Sequence, residues 1–402
     1  MGKSNMKVKY IIIGAGAAGL SFAAALQKSG EESFIVLEKE SEAGGLCRSA
    51  VCGGSPIDRG GGHFLNADNK TTLDFVFSYL PEQEWKLYER DTKIAVGGHT
   101  VSYPIEVNIW QFPQELQLNY LESIARAGDV SGEDMPEGFG DWIYWKFGAA
   151  LAEAYMIPYN RKLWSCDLNS LGTYWLYKLP DVSFRETMRS CLDRAPGSKL
   201  SAHARFYYPK KTGYGEVFLR IAESIGSRLR CGYAVEKIDC DTLTVNGEFQ
   251  GEYIINTAPW HEFSRSLSAD MQERVDKLKY VSLDIDYHST PSADCGSHWT
   301  YFADPALPYH RIIHRDNIIE GSKGYWTETN ALRRGQPGEA HYENPYAYPL
   351  NMLDKPQVIG RILDTMRKRN IIGLGRWGEW EHMNSDVAIA RAIQLAGRLN
   401  AI

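Results

Sequence analysis

Three glycines near the N-terminus have the spacing that a dinucleotide-binding turn requires. Gly14, Gly16 and Gly19 follow an apolar run at 9–13 and precede an Ala-rich stretch at 20–27, a pattern that predicts strand, turn and helix. In such a turn the first glycine allows the tight bend, the second lets backbone approach a pyrophosphate, and the third lets helix and strand pack closely. The helix N-terminus adds N–H groups and partial positive charge for phosphates. The pattern predicts dinucleotide binding, and a merely Gly-rich turn is the alternative.

An acidic residue and a second pair of glycines refine this prediction. Glu38 follows a predicted strand at 34–37, where a carboxylate binds a ribose hydroxyl. Gly44 and Gly45 come soon after and predict a second loop over the same pyrophosphate. Arg48 is then a phosphate partner or, alternatively, a plain surface charge. A nicotinamide-binding unit would use this stretch for its next helix, so the pattern favours flavin.

Length, charge and cysteine content narrow the possible classes of protein. The 402 residues predict roughly two or three domains, and the net charge of −6 with no basic run argues against a nucleic-acid partner. The seven cysteines are scattered, with no Cys-x-x-Cys pair, which favours reduced thiols in a cytoplasmic protein over disulfides or a metal site. After the N-terminal strand, no segment is apolar enough to span a bilayer, so no membrane association is expected.

The periodicity along the chain predicts a nucleotide-binding unit assembled from distant segments. Helical spacing occurs at 112–127, 147–155, 216–229, 355–368 and 386–399. Strand-like segments occur at 235–238, 243–245, 253–259, 371–374 and repeatedly between 278 and 350. We therefore predict a discontinuous nucleotide-binding domain at 1–75, 205–265 and 355–402, a mainly helical domain at 76–204, and an antiparallel-sheet domain at 266–354.

A ten-residue motif in the middle of the chain resembles a known family. Residues 155–164, Tyr-Met-Ile-Pro-Tyr-Asn-Arg-Lys-Leu-Trp, are similar to the aromatic-x-x-Pro-Tyr-Asn-x-Lys-x-Trp motif of flavin-dependent sugar-nucleotide mutases, the UDP-galactopyranose mutase family. Further blocks resemble this family, closer to its eukaryotic-type pattern, at 58–64, 299–302, 309–312, 345–349 and 375–380. The glycine motifs alone resemble the wider FAD amine oxidase and protoporphyrinogen oxidase superfamily. The resemblance implies an α/β fold, with a Rossmann-like FAD-binding domain of the GR2 type that carries helical and antiparallel-sheet insertions.

The resemblance implies two catalytic residues and a set that binds FAD. Arg311 is expected to hold a diphosphate, because its planar guanidinium donates in parallel to phosphate oxygens; a surface ion pair is the alternative. His63 is expected over the flavin, acting through its backbone carbonyl or, as a second interpretation, through its ring as an acid–base; a turn histidine without a role is the alternative. The residues expected to bind FAD are Gly14, Gly16, Gly19, Glu38, Gly45, Arg48, Gly62, Val235, Arg376 and Asp386, of which the last two could instead cap and charge the terminal helix.

A second set of residues is implied to bind a nucleotide-diphosphate sugar. Its members are Tyr103, Glu106, Tyr155, Asn160, Trp164, Lys178, Tyr301, Tyr348 and His382. Tyr301 and Tyr348 would donate hydroxyl hydrogen bonds beside Arg311, and Tyr103 and Tyr155 would sandwich a pyrimidine ring; buried core aromatics are the alternative.

Three positions depart from the family pattern. Lys178 falls near the family's second diphosphate arginine but lacks the guanidinium fork, so whether it replaces that arginine stays open, with Arg185 as a substitute. His382 stands where the family tends to have a tyrosine that touches the diphosphate. Glu106 stands where eukaryotic-type mutases have a glutamine that reads uracil. A glutamate accepts only, which leaves uracil open beside guanine or another base.

The resemblance implies an isomerase that interconverts pyranose and furanose forms of a nucleotide-diphosphate sugar by covalent catalysis with reduced FAD. It further implies NAD(P)H or another reductant and a role in cell-surface polysaccharide biosynthesis. The sugar, the base and the existence of a homo-oligomer stay open. The alternative is an FAD-dependent oxidoreductase of the amine oxidase or protoporphyrinogen oxidase type, which has the same glycine pattern. Rab GDP-dissociation inhibitors share the architecture without flavin, but the intact glycine pattern argues against that interpretation.

Overall fold

The structure, a computed structural model, describes residues 6–196, 204–292 and 296–400. The strands in this part of the chain are β1 (Met6–Ile13), β2 (Phe34–Leu37), β3 (Ser49–Cys52), β4 (Ser55–Asp58), β5 (Leu65–Asn66), β6 (Trp85–Glu89), β7 (Thr92–Val96), β8 (His99–Ser102), β9 (Arg205–Pro209), β10 (Leu229–Arg230), β11 (Ile238–Asp239), β12 (Thr244–Val245), β13 (Phe249–Asn256), β14 (Tyr280–His288), β15 (Trp299–Phe302), β16 (Tyr309–His314), β17 (Tyr325–Asn330), β18 (Ala340–Pro349) and β19 (Ile371–Gly373).

The α-helices in the same ranges are α1 (Ala17–Lys28), α2 (Lys70–Phe77), α3 (Gln114–Ala125), α4 (Gly128–Ser131), α5 (Phe139–Leu151), α6 (Ile157–Trp164), α7 (Phe184–Asp193), α8 (Glu216–Ile225), α9 (Ala269–Lys277), α10 (Lys355–Arg367), α11 (Gly375–Gly378) and α12 (Ser385–Asn400). None of them has the length and the apolar run that crossing a bilayer requires. The six cysteines in these ranges are free, and Cys295 lies outside the described residues.

One seven-stranded sheet contains β1 and β2, which flank the predicted dinucleotide-binding turn. Its order is β10-β2-β1-β13-β12-β11, with β19 paired to β13. The four pairings β10–β2, β2–β1, β1–β13 and β13–β19 are parallel. Because successive side chains of a strand face opposite ways, Ile12 of β1 joins the core under α1 and α12, whereas Ile11 joins the core on the other face. Burial on both faces explains why β1 and β2 are continuous apolar runs.

A second seven-stranded sheet, in the order β18-β14-β17-β16-β15-β7-β8, stands beside the first. All of its pairings are antiparallel except that of β7 with β15. The helices between α3 and α7 share a hydrophobic core with inward side chains of this sheet, among them Leu283 and Ala347. The second sheet and the helical segment thus form one packed layer. The predicted division into three domains stays a prediction.

Several predicted boundaries differ from the structure for local reasons. The helix predicted over 216–229 ends at Ile225, because Gly226 has a φ of 63°, and the next residues join β10. The helix predicted over 147–155 is broken, since Gly148 has a φ of 65° and a π-helical turn covers Ala152–Met156. The strands predicted at 235–238 and 243–245 shrink to the two-residue strands β11 and β12.

Candidate active site

Two adjoining cavities lie between the sheets. The first, about 440 Å³, runs past the carboxyl ends of β1 and β2. Of the predicted FAD residues, it is lined by Gly14, Gly16, Glu38, Gly45, Arg48, Val235 and Arg376. The second, about 330 Å³, lies between α6 and the second sheet. Of the predicted substrate residues, it is lined by Tyr103, Glu106, Tyr155, Asn160, Trp164, Tyr301, Tyr348 and His382, together with Arg311 and Gly62. His63 and Arg376 line both cavities, so the two sites adjoin at these side chains.

The glycine turn leaves no room for larger residues. A Cβ added to Gly19 would lie 2.0 Å from the carbonyl oxygen of Gly14, so α1 can pack this closely only with glycine at this position. Gly45 has a φ of 55°, and its Cβ would lie 3.0 Å from the Cα of Gly16. The two glycine loops therefore meet over the N-terminus of α1, where bare backbone can approach a pyrophosphate. Gly19 itself lies outside the lining of both cavities and acts through packing.

Glu38, at the end of β2, accepts hydrogen bonds from the backbone of the glycine turn and of the loop after β2. Its Oε2 accepts the N–H of Ala15 at 2.7 Å, and its Oε1 accepts the N–H of Glu40 at 2.9 Å. Each oxygen keeps a second lone pair, so the buried carboxylate still has capacity for a ribose hydroxyl at the cavity wall. Glu38 thus holds the loop backbone in addition to the ribose contact that the sequence predicts.

An unpaired carboxylate oxygen at the start of α12 and a guanidinium in α11 fit FAD. Asp386 is 4% exposed, and its Oδ1 has no hydrogen-bond partner among the described residues, although the residue lies outside the lining of either cavity. Arg376 donates to the carbonyl oxygens of Met383 and Ala347, which carry no charge. Its pKa is lowered by burial. A half-buried guanidinium that meets only uncharged carbonyls at the junction of both cavities suits an anionic ligand such as a pyrophosphate.

His63 is held as a neutral imidazole beside this junction. Its Nδ1 lies 2.9 Å from the carbonyl oxygen of Gly61, and because a carbonyl only accepts, Nδ1 carries the proton. Burial first, and the nearby Arg376 charge second, lower the pKa of His63 to about 4. The ring of Tyr214 lies parallel to it, with centroids 6.2 Å apart. The side chain therefore presents Nε2 as an acceptor at neutral pH.

Arg311 forms a buried ion pair that the sequence analysis missed. Its Nε donates to Oε2 of Glu328 at 2.8 Å and its Nη2 donates to the same oxygen at 2.5 Å. Oε1 of Glu328 accepts the backbone N–H of Gly62 at 2.7 Å. Burial alone would lower the pKa of Arg311, but the Glu328 carboxylate raises it above its ordinary value. Glu328 thus connects the predicted diphosphate arginine to the glycine loop.

Tyrosine side chains surround Arg311 in the second cavity. The ring of Tyr301 lies 5.4 Å from that of Tyr159 and 5.7 Å from that of Tyr103, between centroids. Burial raises the pKa of both Tyr159 and Tyr348, so their hydroxyl groups remain protonated donors at neutral pH. The arrangement provides neutral donors around one fixed cation, which suits a phosphate-bearing ligand.

Other predicted residues are partly engaged by the protein itself. Asn160 donates through Nδ2 to the carbonyl oxygen of Met156 at 2.8 Å and accepts from Nε1 of Trp164 at 3.0 Å. Both side chains line the cavity, and these hydrogen bonds stabilise α6 and the turn before it. His382 packs on Tyr348, with ring centroids 4.7 Å apart. The side chain of Lys178 lies outside the described part of the chain.

Glu106 lies at the aromatic part of the second cavity, which Tyr155 and Phe147 also line. Burial raises the pKa of Glu106 to about 7, with a smaller opposing effect of Lys146. Lys146 is itself paired with Asp129 at 2.8 Å and with Asp181 at 3.2 Å. The carboxyl group is therefore divided between acid and carboxylate near neutral pH.

The predicted set lacked Arg90 and His310, which line the second cavity, and Glu328, which is the ion-pair partner of Arg311. Arg90 lies over the rings of Tyr103 and Trp299, at 4.4 and 4.9 Å from their centroids. His310 lines the cavity beside Arg311, whereas Glu328 lies outside the lining and pairs with Arg311. His310 was visible in the block at 309–312, but the alternation of a regular strand would direct it away from the side that Arg311 faces.

The comparisons with known proteins agree with this architecture. A family model described as an NAD(P)-binding Rossmann-like domain matches residues 12–79. A probable UDP-galactopyranose mutase of Klebsiella pneumoniae is 24% identical over 404 residues, covering 96% of this chain and 93% of that protein. A solved structure of reduced UDP-galactopyranose mutase has a TM-score of 0.88 at 22% identity, covering 98% of this chain and 96% of that one. A solved structure of cyclohexylamine oxidase from Brevibacterium oxydans IH-35A has a TM-score of 0.65 at 14% identity, covering 98% of this chain and 99% of that one.

The structural likenesses establish a fold that mutases and amine oxidases share. The predicted α/β fold with its Rossmann-like domain is confirmed. The cleft along the glycine loops and the Rossmann-like family match agree with FAD, the cofactor that the sequence predicts. The resemblance of the chain to the UDP-galactopyranose mutase family is confirmed over nearly its whole length.

Proposed function

We propose that this chain is a flavin-dependent sugar-nucleotide mutase that interconverts pyranose and furanose forms of a nucleotide-diphosphate sugar, with no net redox change. One observation carries the proposal: Arg311 and its tyrosines lie in a cavity that adjoins the FAD cleft at His63 and Arg376. A diphosphate bound there is next to the cofactor and enclosed by protein. Reduced FAD, when bound, supplies covalent catalysis at the anomeric carbon.

The residues of the second cavity retain the leaving group. Arg311 holds the nucleoside diphosphate after it departs, so that its return to the sugar is effectively intramolecular. Tyr301 and Tyr348 donate hydroxyl hydrogen bonds to its oxygens. Because Glu328 neutralises part of the Arg311 charge, Arg376 contributes the second cation. In a buried site these charges interact more strongly than they would in water.

His63 and Glu106 serve different parts of the substrate. The neutral His63 offers its Nε2 as an acceptor beside the reacting centre, while its Nδ1–H donates to the carbonyl oxygen of Gly61. Glu106, with the aromatic rings around it, receives the nucleotide base. Tyr155 provides a flat apolar surface for that base.

The rival function is an FAD-dependent oxidoreductase of the amine oxidase or protoporphyrinogen oxidase type, which the shared fold permits. The charge of the second cavity favours the mutase. A protonated amine would meet the guanidinium groups of Arg311 and Arg376 there, whereas a diphosphate would be attracted to both. The proposal also includes NAD(P)H or another reductant, a cytoplasmic location and a role in cell-surface polysaccharide biosynthesis.

A substrate screen tests the proposal. The purified protein is reduced with dithionite under anaerobic conditions and incubated with a panel of nucleotide-diphosphate sugars, and the products are separated by chromatography and identified by NMR. Isomerised sugar from at least one member supports the mutase. Absence of isomers from all of them, with reduction of the flavin by an amine panel in a separate sample of oxidised protein, would establish the oxidase instead.

A further inference from the structure

A β-bulge directs His310 into the second cavity. Tyr309 of β16 pairs with Thr329 of β17, and Arg311 pairs with Glu328, so β16 advances two residues while β17 advances one. The extra residue is His310. Such a bulge lets neighbouring residues face the same side of a sheet, and bulges are frequent beside active sites. Both His310 and Arg311 accordingly line the cavity.

The imidazole of His310 is buried with hydrogen-bonding capacity unused. The residue is 2% exposed, and its Nδ1 has no hydrogen-bond partner among the described residues. Its Nε2 lies 3.7 Å from Oε2 of Glu328, beyond the usual hydrogen-bond length. Burial first, and the charges of Arg311 and Lys162 next, keep the pKa of His310 well below its ordinary value. The ring is therefore neutral, with one N–H donor and one nitrogen acceptor.

A buried nitrogen without a hydrogen-bond partner lowers the stability of the fold, unless a bound ligand supplies the missing hydrogen bond. A hydroxyl is the suitable partner, since it donates and accepts as a neutral imidazole does. In a nucleotide-diphosphate sugar, the hydroxyl-bearing ring is joined directly to the diphosphate. A ligand whose diphosphate is held by Arg311 therefore brings the sugar, or the ribose on the other side, next to His310.

We propose that His310 binds a hydroxyl group of the sugar ring and so determines which sugars the cavity accepts and in what orientation. This inference rests on the proposed function, because it takes the diphosphate to be held by Arg311. It assigns His310 to the sugar and Arg311 to the diphosphate, two adjacent residues with separable roles. The ribose is the competing position for the same hydroxyl contact.

The test compares two probes on the same variants. The binding of a nucleotide-diphosphate sugar and that of the matching nucleoside diphosphate, which has the ribose but lacks the sugar, are measured by titration of the flavin absorbance of the reduced holoenzyme. His310→Phe removes both nitrogens and retains a ring. His310→Asn restores an amide near the position of Nδ1, and His310→Gln restores one near Nε2. His288→Phe, on β14 and outside both cavity linings, is the control for the same substitution elsewhere.

The predicted result is selective. His310→Phe loses roughly tenfold in affinity for the nucleotide sugar, as expected for one hydrogen bond, and keeps its affinity for the nucleoside diphosphate. His310→Asn recovers most of the loss. Equal loss for both probes in all three variants, or no loss in His310→Phe, would overturn the assignment of His310 to the sugar. Wild-type protein that binds neither probe would overturn the proposed function together with the inference, and so is distinguishable from failure of the inference alone.

Discussion

Arg311 and Glu328 occupy directly opposed positions on β16 and β17, and their side chains form a buried ion pair. Cross-strand neighbours of opposite charge are favourable, and here the Glu328 side chain is fully buried while the Arg311 side chain is 16% exposed. The same carboxylate accepts the N–H of Gly62 at 2.7 Å. The direction of the guanidinium and the position of the glycine loop are therefore set by one side chain.

Replacement of Arg311 separates diphosphate binding from FAD binding. Arg311→Lys retains a charge without the parallel donors, and we expect the affinity for a nucleoside diphosphate to fall roughly a hundredfold, as for loss of charged hydrogen bonds. FAD content per protein is expected to match the wild type, because Arg311 does not line the FAD cleft. Titration calorimetry and the visible spectrum measure the two quantities. Unchanged diphosphate affinity would remove the assignment of Arg311.

Replacement of Glu328 is expected to weaken folding and strengthen anion binding. Glu328→Gln leaves the Arg311 charge buried without its partner, which costs about 3–5 kcal/mol of unfolding free energy. An added nucleoside diphosphate restores a counter-charge, so the rise in melting temperature on ligand addition exceeds that of the wild type.

A double variant is the control for this prediction. Arg311→Met with Glu328→Gln removes both charges and is expected to recover much of the lost stability, because neither charge is left unpaired. It is expected to show no extra stabilisation by the diphosphate. A ligand response in Glu328→Gln no larger than in the wild type would show that Arg311 does not bind the anion.

The elements with local sequence signals were predictable, and the contacts between elements were not. β2 was predicted at its observed bounds, and α1 and α12 to within a few residues, because turn glycines and periodicity are local. Glu328 lies 17 residues from Arg311 in sequence, and only the pairing of β16 with β17 joins them. The sequence carried no signal for this register.

His310 and the end of α8 show two further limits of sequence reasoning. A bulge depends on the register of the partner strand, so the inward position of His310 could not be read from alternation. The helix over 216–229 was predicted too long because Gly226 alone is a weak stop signal. The family resemblance located most of the cavity residues, and local periodicity alone would have classed their aromatic side chains as core.

Glu106 is expected to make nucleotide recognition depend on pH. Below about pH 7 its carboxylic acid offers a donor and an acceptor, as a glutamine amide does, whereas above this pH the carboxylate only accepts. At pH 8, Glu106→Gln is therefore expected to bind uridine diphosphate more tightly than the wild type, and the difference is expected to shrink at pH 6. Glu153→Gln, on the exposed side of the π-helical turn, is the control. Equal uridine diphosphate affinity of both proteins at both pH values would contradict a contact with the base.

The raised pKa of the Glu106 carboxyl group also predicts how the free energy of unfolding changes with pH. The pKa of Glu106 is raised by burial from its ordinary 4.5 to about 7, so between these values the folded state holds a proton that the unfolded chain has lost. The contribution of Glu106 to unfolding free energy therefore falls as the pH rises from 4.5 to 7. Denaturant titrations across this range are expected to show a smaller fall for Glu106→Gln. Identical pH profiles would contradict the raised pKa.

Gly19 is expected to be required for FAD retention through packing alone. In Gly19→Ala the new Cβ would lie 2.0 Å from the Gly14 carbonyl oxygen, so α1 must move away from the glycine turn. The ratio of flavin to protein after purification is expected to fall strongly. Gly360→Ala in α10, where no atom lies within 4 Å of the added Cβ, is the matched control and is expected to gain about 0.5–1 kcal/mol in stability with normal flavin content. Full flavin content in Gly19→Ala would contradict the close approach.

The most direct measurement follows product and flavin in one sample. Protein reduced by a single equivalent of dithionite is mixed anaerobically with a large excess of the nucleotide-diphosphate sugar, and the isomer is counted by NMR while absorbance reports the flavin. A redox-neutral mutase is expected to form many product molecules per protein, with the flavin still fully reduced at the end. Product formation that stops after one turnover, with the flavin oxidised in step, would contradict a redox-neutral mutase.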